Sequence, residues 1–137
     1  MQVAFSKSEC SRFRGAYVVP VVVSNPVNGE KLEVESVLDT GFDGSMMLAA
    51  EAYHRLGLEL RERPEDLFPV YRTLSGTIVF RRSHATARLA GKDLDVEVVT
   101  PISGAGKNLV GRRVLHEFTT LLQRGELACI GDGKIEG

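Results

Sequence analysis

Valine-rich segments alternate with turn residues in the first third of the sequence, and this pattern restricts the chain to a β-rich fold. Residues 16–24 are rich in valine, Pro26 and the pair Asn28-Gly29 follow, and residues 31–38 then alternate charged and apolar side chains. β-branched residues fit a pleated surface, while proline and Asn-Gly provide the backbone dihedral angles that a chain reversal needs. The segment therefore predicts two strands joined by a reversing turn.

The rest of the sequence predicts short strands and few helices, so the expected fold class is all-β with one or two helices. The strand predictions cover residues 45–48, 71–73, 77–81, 85–89, 94–100 and 127–130. A short helix is expected at residues 49–56, closed by Gly57. Apolar residues at helical spacing predict one amphipathic helix over residues 112–123.

Size and charge indicate one globular domain with no affinity for nucleic acid or membrane. The chain has 137 residues, of which 43% are hydrophobic and 26% charged, near the globular average. Its net charge of -1 lacks the broad positive field that non-specific nucleic-acid binders use. The apolar run at residues 17–23 is far shorter than the roughly 20 residues of a membrane helix.

The cysteines and histidines predict neither a disulfide framework nor a metal site. The first residues lack the basic and then apolar pattern of a secretory signal, so we expect a cytoplasmic protein. Cys10 and Cys129 could pair, but two isolated thiols in such a chain are expected to be reduced. His54, His84 and His116 match no ligand pattern, so no metal or cofactor is expected.

One short motif contains an aspartate in a position that suits a catalytic residue. Asp39-Thr40-Gly41 follows the apolar pair Val37-Leu38, so the predicted strand places a carboxylate at the start of a tight loop. Glycine lets the backbone of such a loop approach closely. The three residues by themselves favour an ordinary turn at the end of a strand, and the surrounding sequence has to decide.

Two longer signatures, in the right order, give that context. Residues 37–44 read VLDTGFDG, and residues 108–112 read NLVGR just before the predicted closing helix. Over residues 21–122 this arrangement resembles the single-domain aspartic proteases of the retroviral type, and more closely their small bacterial and archaeal relatives. The resemblance implies a retropepsin-like closed barrel of short strands.

The resemblance also implies the extent of the domain and the position of its flap, the hairpin that closes over substrate. The barrel is expected at residues 16–130, after an N-terminal extension at 1–15 and before a loose C-terminal tail at 131–137. The residues expected to bind substrate are the four of the flap and two that follow the motif: Leu74, Ser75, Gly76, Thr77, Phe42 and Asp43.

The implied activity is that of an aspartic-type endopeptidase acting on polypeptides, with Asp39, Thr40 and Gly41 as catalytic residues. Two carboxylates share one proton in this mechanism, so that one acts as base toward water and the other as acid. Because the chain has one such aspartate, a homodimer must bring two copies of Asp39 together. The resemblance implies that Thr40 forms a hydrogen-bonded brace between the subunits and that the Gly41 backbone contacts substrate. It also implies that Asp43 forms a structural ion pair with Arg112.

The sequence also has features of three other kinds of protein. The serious alternative is a non-catalytic dimeric module that holds an extended peptide by strand addition on the same fold, or serves assembly. Residues 103–108 are similar to a phosphate-binding loop, but they lack its first glycine and its metal-binding hydroxyl. A phosphoryl-accepting Asp39 lacks the accompanying lysine and second aspartate of such enzymes.

Overall fold

Strands make up most of the computed structural model, which describes residues 2–63, 67–73 and 76–136. The strands are β1 (Gln2–Arg12), β2 (Val18–Ser24), β3 (Lys31–Leu38), β4 (Met46–Met47), β5 (Leu67–Thr73), β6 (Gly76–Leu89), β7 (Lys92–Pro101), β8 (Leu109–Val110), β9 (Thr119–Gln123) and β10 (Leu127–Glu136). Two short helices, α1 (Ala50–Arg55) and α2 (Arg112–Leu115), and a 3₁₀ helix, Leu58–Arg61, complete the described elements. None of these helices is long and apolar enough to cross a membrane.

Six strands close into a barrel. β2 pairs with β3, β8 lies between β3 and β4, and β4 pairs with β7, which is hydrogen-bonded to β6. β6 then returns to β2 through three residue pairs, from Val22 opposite Arg88 to Ser24 opposite Thr86, which completes the ring. β5 pairs only with β6 as the second arm of a hairpin. The predicted all-β closed barrel with one or two helices is therefore confirmed.

The predicted strand pair at the start of the barrel forms because its alternation matches the pleat. The side chains of Val19, Val21 and Val23 are fully or almost fully buried, between outward-facing residues of β2. In the turn, Asn25 Oδ1 accepts a hydrogen bond from the amide of Val27 at 3.0 Å. The side-chain amide of Asn25 also donates to the carbonyl of Leu56 at 2.9 Å, which ties the turn to the end of α1.

A second, three-stranded sheet joins the two ends of the described chain. β1 pairs with β10 from Gln2 opposite Glu136 to Arg12 opposite Leu127, and β9 lies on the other side of β10. The expectation of a loose tail from residue 131 is wrong, because β10 continues as far as Glu136 and pairs with β1 up to that residue. Cys10 lies directly opposite Cys129 and forms a disulfide with it, so the expected reduced thiols are also wrong.

The prediction of a long amphipathic helix over residues 112–123 is also wrong. α2 ends at Leu115, and β9 occupies the second half of the segment, paired with β10. The helical spacing did not mark a buried stripe, since Leu121 and Leu122 of β9 are 39% and 50% exposed. Long-range strand pairing therefore prevails over the local pattern.

A buried carboxylate ties the 3₁₀ helix to the base of the β5–β6 hairpin. The Glu62 side chain is 5% exposed and receives the hydroxyl of Tyr53 at 2.8 Å. Arg81 Nε of β6 lies 3.1 and 3.0 Å from the two Glu62 carboxylate oxygens. Burial, reinforced by the hydrogen bond to Glu62, raises the pKa of Tyr53 well above its usual value. The Tyr53 hydroxyl therefore remains a donor at any ordinary pH.

Replacing Tyr53 with phenylalanine is expected to lower the free energy of unfolding by about 1–2 kcal/mol, because Glu62 loses a donor where water has little access. Tyr17→Phe is the matched control, since the Tyr17 hydroxyl accepts an exposed hydrogen bond from the Gly125 amide at 2.9 Å. Water can replace that bond, and a loss of about 0.5 kcal/mol is expected. Urea unfolding measures both variants, and equal losses would contradict the prediction.

Candidate active site

Asp39 follows the last residue of β3, and its backbone is fixed by strands from distant parts of the chain. β8 runs parallel to β3, with Val37 opposite Leu109 and Leu38 opposite Val110. The amide of Asp39 extends this pairing by donating to the carbonyl of Val110 at 2.9 Å. The backbone of Asp39 therefore has a fixed position at the end of β3.

The loop after Asp39 also fixes the orientation of its carboxyl group. The amide of Gly41 donates to Asp39 Oδ1 at 2.9 Å, and the amide of Phe42 donates to the Asp39 carbonyl at 3.2 Å. A Cβ atom on Gly41 would lie only 3.2 Å from Asp39 Oδ1, so glycine suits this close turn. Asp39 is half-buried, whereas Thr40 is exposed.

The two sequence signatures are docked on each other through backbone hydrogen bonds. The amide of Gly111 donates to the carbonyl of Ser45 at 2.9 Å, and the amide of Arg112 donates to the carbonyl of Phe42 at 2.9 Å. The amide of Arg113 reaches the carbonyl of Gly44 at 3.3 Å. Three successive amides at the start of α2 therefore hold the loop that carries Asp39.

Arg112 and Asp43, the residues of the expected ion pair, lie in contact. Arg112 Nη2 lies 2.9 Å from Asp43 Oδ1, and Arg113 Nε donates to the Asp43 carbonyl at 3.2 Å. The Arg112 and Asp43 side chains are 46% and 77% exposed, so solvent screens the pair and its contribution to stability is small. Its effect is to orient Asp43 beside the start of α2.

Phe42 packs its ring onto the backbone of its own loop. The ring atoms lie where side chains on Gly44 and Gly111 would otherwise stand, with Phe42 Cζ 2.5 Å from the Cβ position of Gly44. Phe42 remains partly exposed, and its predicted contact with substrate stays a prediction.

The predicted flap falls on the β5–β6 hairpin. The two strands pair antiparallel up to Thr73 opposite Gly76, with Thr77 exposed at the start of β6. Leu74 and Ser75 lie outside the described residues. The arms of the expected hairpin are therefore present, and its role as a flap stays a prediction.

Asn108 is a site residue that sequence analysis missed. Its side-chain Oδ1 accepts from the amide of Ala49 at 2.8 Å, and its carbonyl accepts from the amide of Val37 at 2.9 Å. It therefore connects β3 to the residue before α1, directly ahead of β8. Its place as the first residue of the NLVGR signature was the available signal.

Other features of the described residues lie away from Asp39. A groove of 520 Å³ is lined by residues of β1, β10 and the segment between α2 and β9, including Phe5, Phe118 and Lys134. None of its lining residues belongs to the Asp39 loop. Within the described ranges no three side chains of histidine, cysteine, aspartate or glutamate are placed to hold a metal ion.

Comparison with known proteins identifies the fold. No model of a protein family matches the chain, and no curated protein matches it either. A retropepsin-like aspartic protease from Rickettsia conorii superposes with a TM-score of 0.66 at 15% identity, covering 98% of this chain and 95% of that one. EIAV protease in complex with the inhibitor HBY-793 superposes with a TM-score of 0.54 at 20% identity, covering 74% and 86%. The chain has the retropepsin-like fold.

Proposed function

We propose, from the retropepsin-like fold, that this chain is an aspartic-type endopeptidase active as a homodimer, in which the two Asp39 carboxylates activate water for hydrolysis of a peptide bond. The observation that carries the proposal is the Asp39 loop, with one carboxylate oxygen held by the Gly41 amide at 2.9 Å and its backbone held by β8. Two solved proteins with this fold are proteases by name.

The chemistry requires the second subunit. One carboxylate removes a proton from water, whose oxygen attacks the peptide carbonyl carbon, while the protonated carboxyl group donates its proton to the carbonyl oxygen. Collapse of the tetrahedral intermediate breaks the C–N bond; the amine leaves with a proton from one carboxyl group, while a hydroxyl of the intermediate returns its proton to the other and restores the shared proton. Two carboxyl groups in contact cannot both be ionised, because their negative charges repel. Asp39 and the partner's Asp39 therefore share one proton before substrate is attacked.

The remaining site residues take roles that fit their positions. Thr40 is exposed beside Asp39, which suits a brace to the second subunit. The Gly41 amide holds the carboxylate and Asp43 lies two residues further along the same loop, and both would contact an extended polypeptide substrate. Gly76 and Thr77 are exposed where β6 begins, next to Leu74 and Ser75 in sequence, and this hairpin would close over the bound chain as a flap.

Cleavage of a mixed peptide library over a range of protein concentrations tests the proposal. Wild type and Asp39→Asn are compared at matched concentrations from acid to neutral pH, and sedimentation gives the oligomeric state in the same buffers. Specific activity is expected to rise with concentration and to level off when the dimer is complete. The folded Asp39→Asn dimer is expected to cut nothing, which also excludes a contaminating protease.

Two results would contradict the proposal. A protein that stays monomeric at every concentration cannot use two copies of Asp39. A wild-type dimer that binds peptides without cutting them would support the peptide-binding module instead.

A further inference from the structure

The Phe42 ring occupies the space above Gly44. The three atoms nearest to a Cβ atom built on Gly44 all belong to that ring, at 2.5, 3.0 and 3.1 Å. Gly44 is not among the glycines with positive φ, so its backbone would accept an alanine without dihedral strain. The ring is therefore the main obstacle to a side chain at this position.

The same ring also contacts the end of the second signature. A Cβ atom on Gly111 would lie 2.7 Å from Phe42 Cδ2, and it would also meet the carbonyl oxygens of Gly44 and Phe42. The ring thus lies across the junction at which the amides of Gly111, Arg112 and Arg113 donate to the loop of residues 42–45. It therefore packs against two of the residues that form those backbone hydrogen bonds.

We propose that Phe42 is a positioning residue whose ring clamps the Asp39 loop onto the start of α2, with Gly44 and Gly111 as the two sites that accept the ring. Because the Phe42 amide donates to the Asp39 carbonyl at 3.2 Å, movement of residue 42 is passed to the aspartate. The packing role does not depend on activity. Its catalytic consequence rests on the proposed function, since a displaced carboxylate slows proton transfer more than it weakens substrate binding.

A double-mutant cycle tests the contact between the ring and Gly44. Gly44→Ala is expected to lower the melting temperature by about 5 °C when Phe42 is present, because the methyl group collides with the ring. In the Phe42→Ala background the same change is expected to lower it by less than about 1 °C. Equal shifts in the two backgrounds would overturn the proposal.

Hydrogen exchange tests the clamp itself. In Phe42→Ala the amides of Gly111, Arg112 and Arg113 are expected to exchange at least about tenfold faster, with Phe42→Leu intermediate. The Leu56 amide, which donates to the Ala52 carbonyl at 3.1 Å in the last turn of α1, is the internal control and should not change. Unchanged exchange at residues 111–113 would overturn the proposal, whether or not the protein cleaves peptides.

Peptide kinetics separate positioning from substrate contact. Phe42→Ala is expected to lower kcat about tenfold with KM changed less than about twofold, and Phe42→Leu to recover part of the loss. A change in KM that depends on the peptide sequence, with exchange at residues 111–113 unaffected, would instead assign Phe42 to the substrate. If no wild-type activity is found, the proposed function fails, while the thermal cycle and the exchange rates still decide the role of the ring.

Discussion

Equal amounts of wild-type and Asp39→Asn chains, allowed to exchange subunits, are expected to show about one quarter of the activity of the same total amount of wild type. Random pairing gives about one quarter of dimers with two aspartates, and only these have the pair that shares a proton. The measurement is the rate of peptide cleavage after exchange, at a concentration where sedimentation shows complete dimer. Asp39→Asn alone is expected to be at least about 10³-fold less active than wild type, since no carboxylate remains to take the proton.

Asp132→Asn provides the matched control for the mixing experiment. Asp132 is an exposed aspartate of β10, opposite Lys7 of β1, and lies outside the Asp39 loop. Its mixtures with wild type are expected to keep full activity. Retention of about one half of the activity with Asp39→Asn would contradict the shared site, because it means that each chain works independently.

Replacing Cys10 and Cys129 together with alanine is expected to lower the free energy of unfolding by about 3–5 kcal/mol. The disulfide joins residues 119 positions apart, so it removes much of the conformational freedom of the unfolded chain. Urea unfolding with and without a reductant measures the effect. Reduced wild type and the Cys10→Ala/Cys129→Ala variant are expected to share one midpoint.

The reductant provides the control for this prediction. It is expected to shift the midpoint of wild type and to leave that of the double variant unchanged. Wild type that unfolds at the same urea concentration in oxidising and reducing buffers would contradict the prediction. Because the cytoplasm keeps thiols reduced, the same comparison measures how stable the fold is in that compartment.

The parts of the fold that were predictable are those specified by neighbouring residues. β2 and β3 follow from alternating valines and the Asn25 turn, whose Asx hydrogen bond is local. α1 ends where Gly57 adopts φ 66, a conformation that favours glycine. In these segments the local preference and the tertiary environment agree.

The parts that failed depend on contacts across the whole chain. The apolar residues at helical spacing in segment 112–123 extend into β9, and only the pairing with β10 makes this part a strand. Cys10 and Cys129 face each other because β1 and β10 pair along their whole length, which their separate positions in the sequence do not reveal. Local patterns contain no information about such partners.

The candidate site was predicted in part. The resemblance located Asp39 and paired Arg112 with Asp43, and the structure brings the two signatures together. It could not place the Phe42 ring over Gly44, since a sequence signature does not specify how a side chain packs. The buried Glu62, held by Tyr53 and Arg81, likewise has no local sequence signal.

The pairing of β3 with β8 determines at what stage of folding the backbone of Asp39 becomes fixed. Asp39 is translated early, but the strand that fixes its backbone is formed by residues 109–110, near the end of the barrel. Pairings between such distant segments form late and slowly during folding. A ribosome-bound chain that has emerged only as far as β7 thus lacks the strand to which the Asp39 amide donates its hydrogen bond.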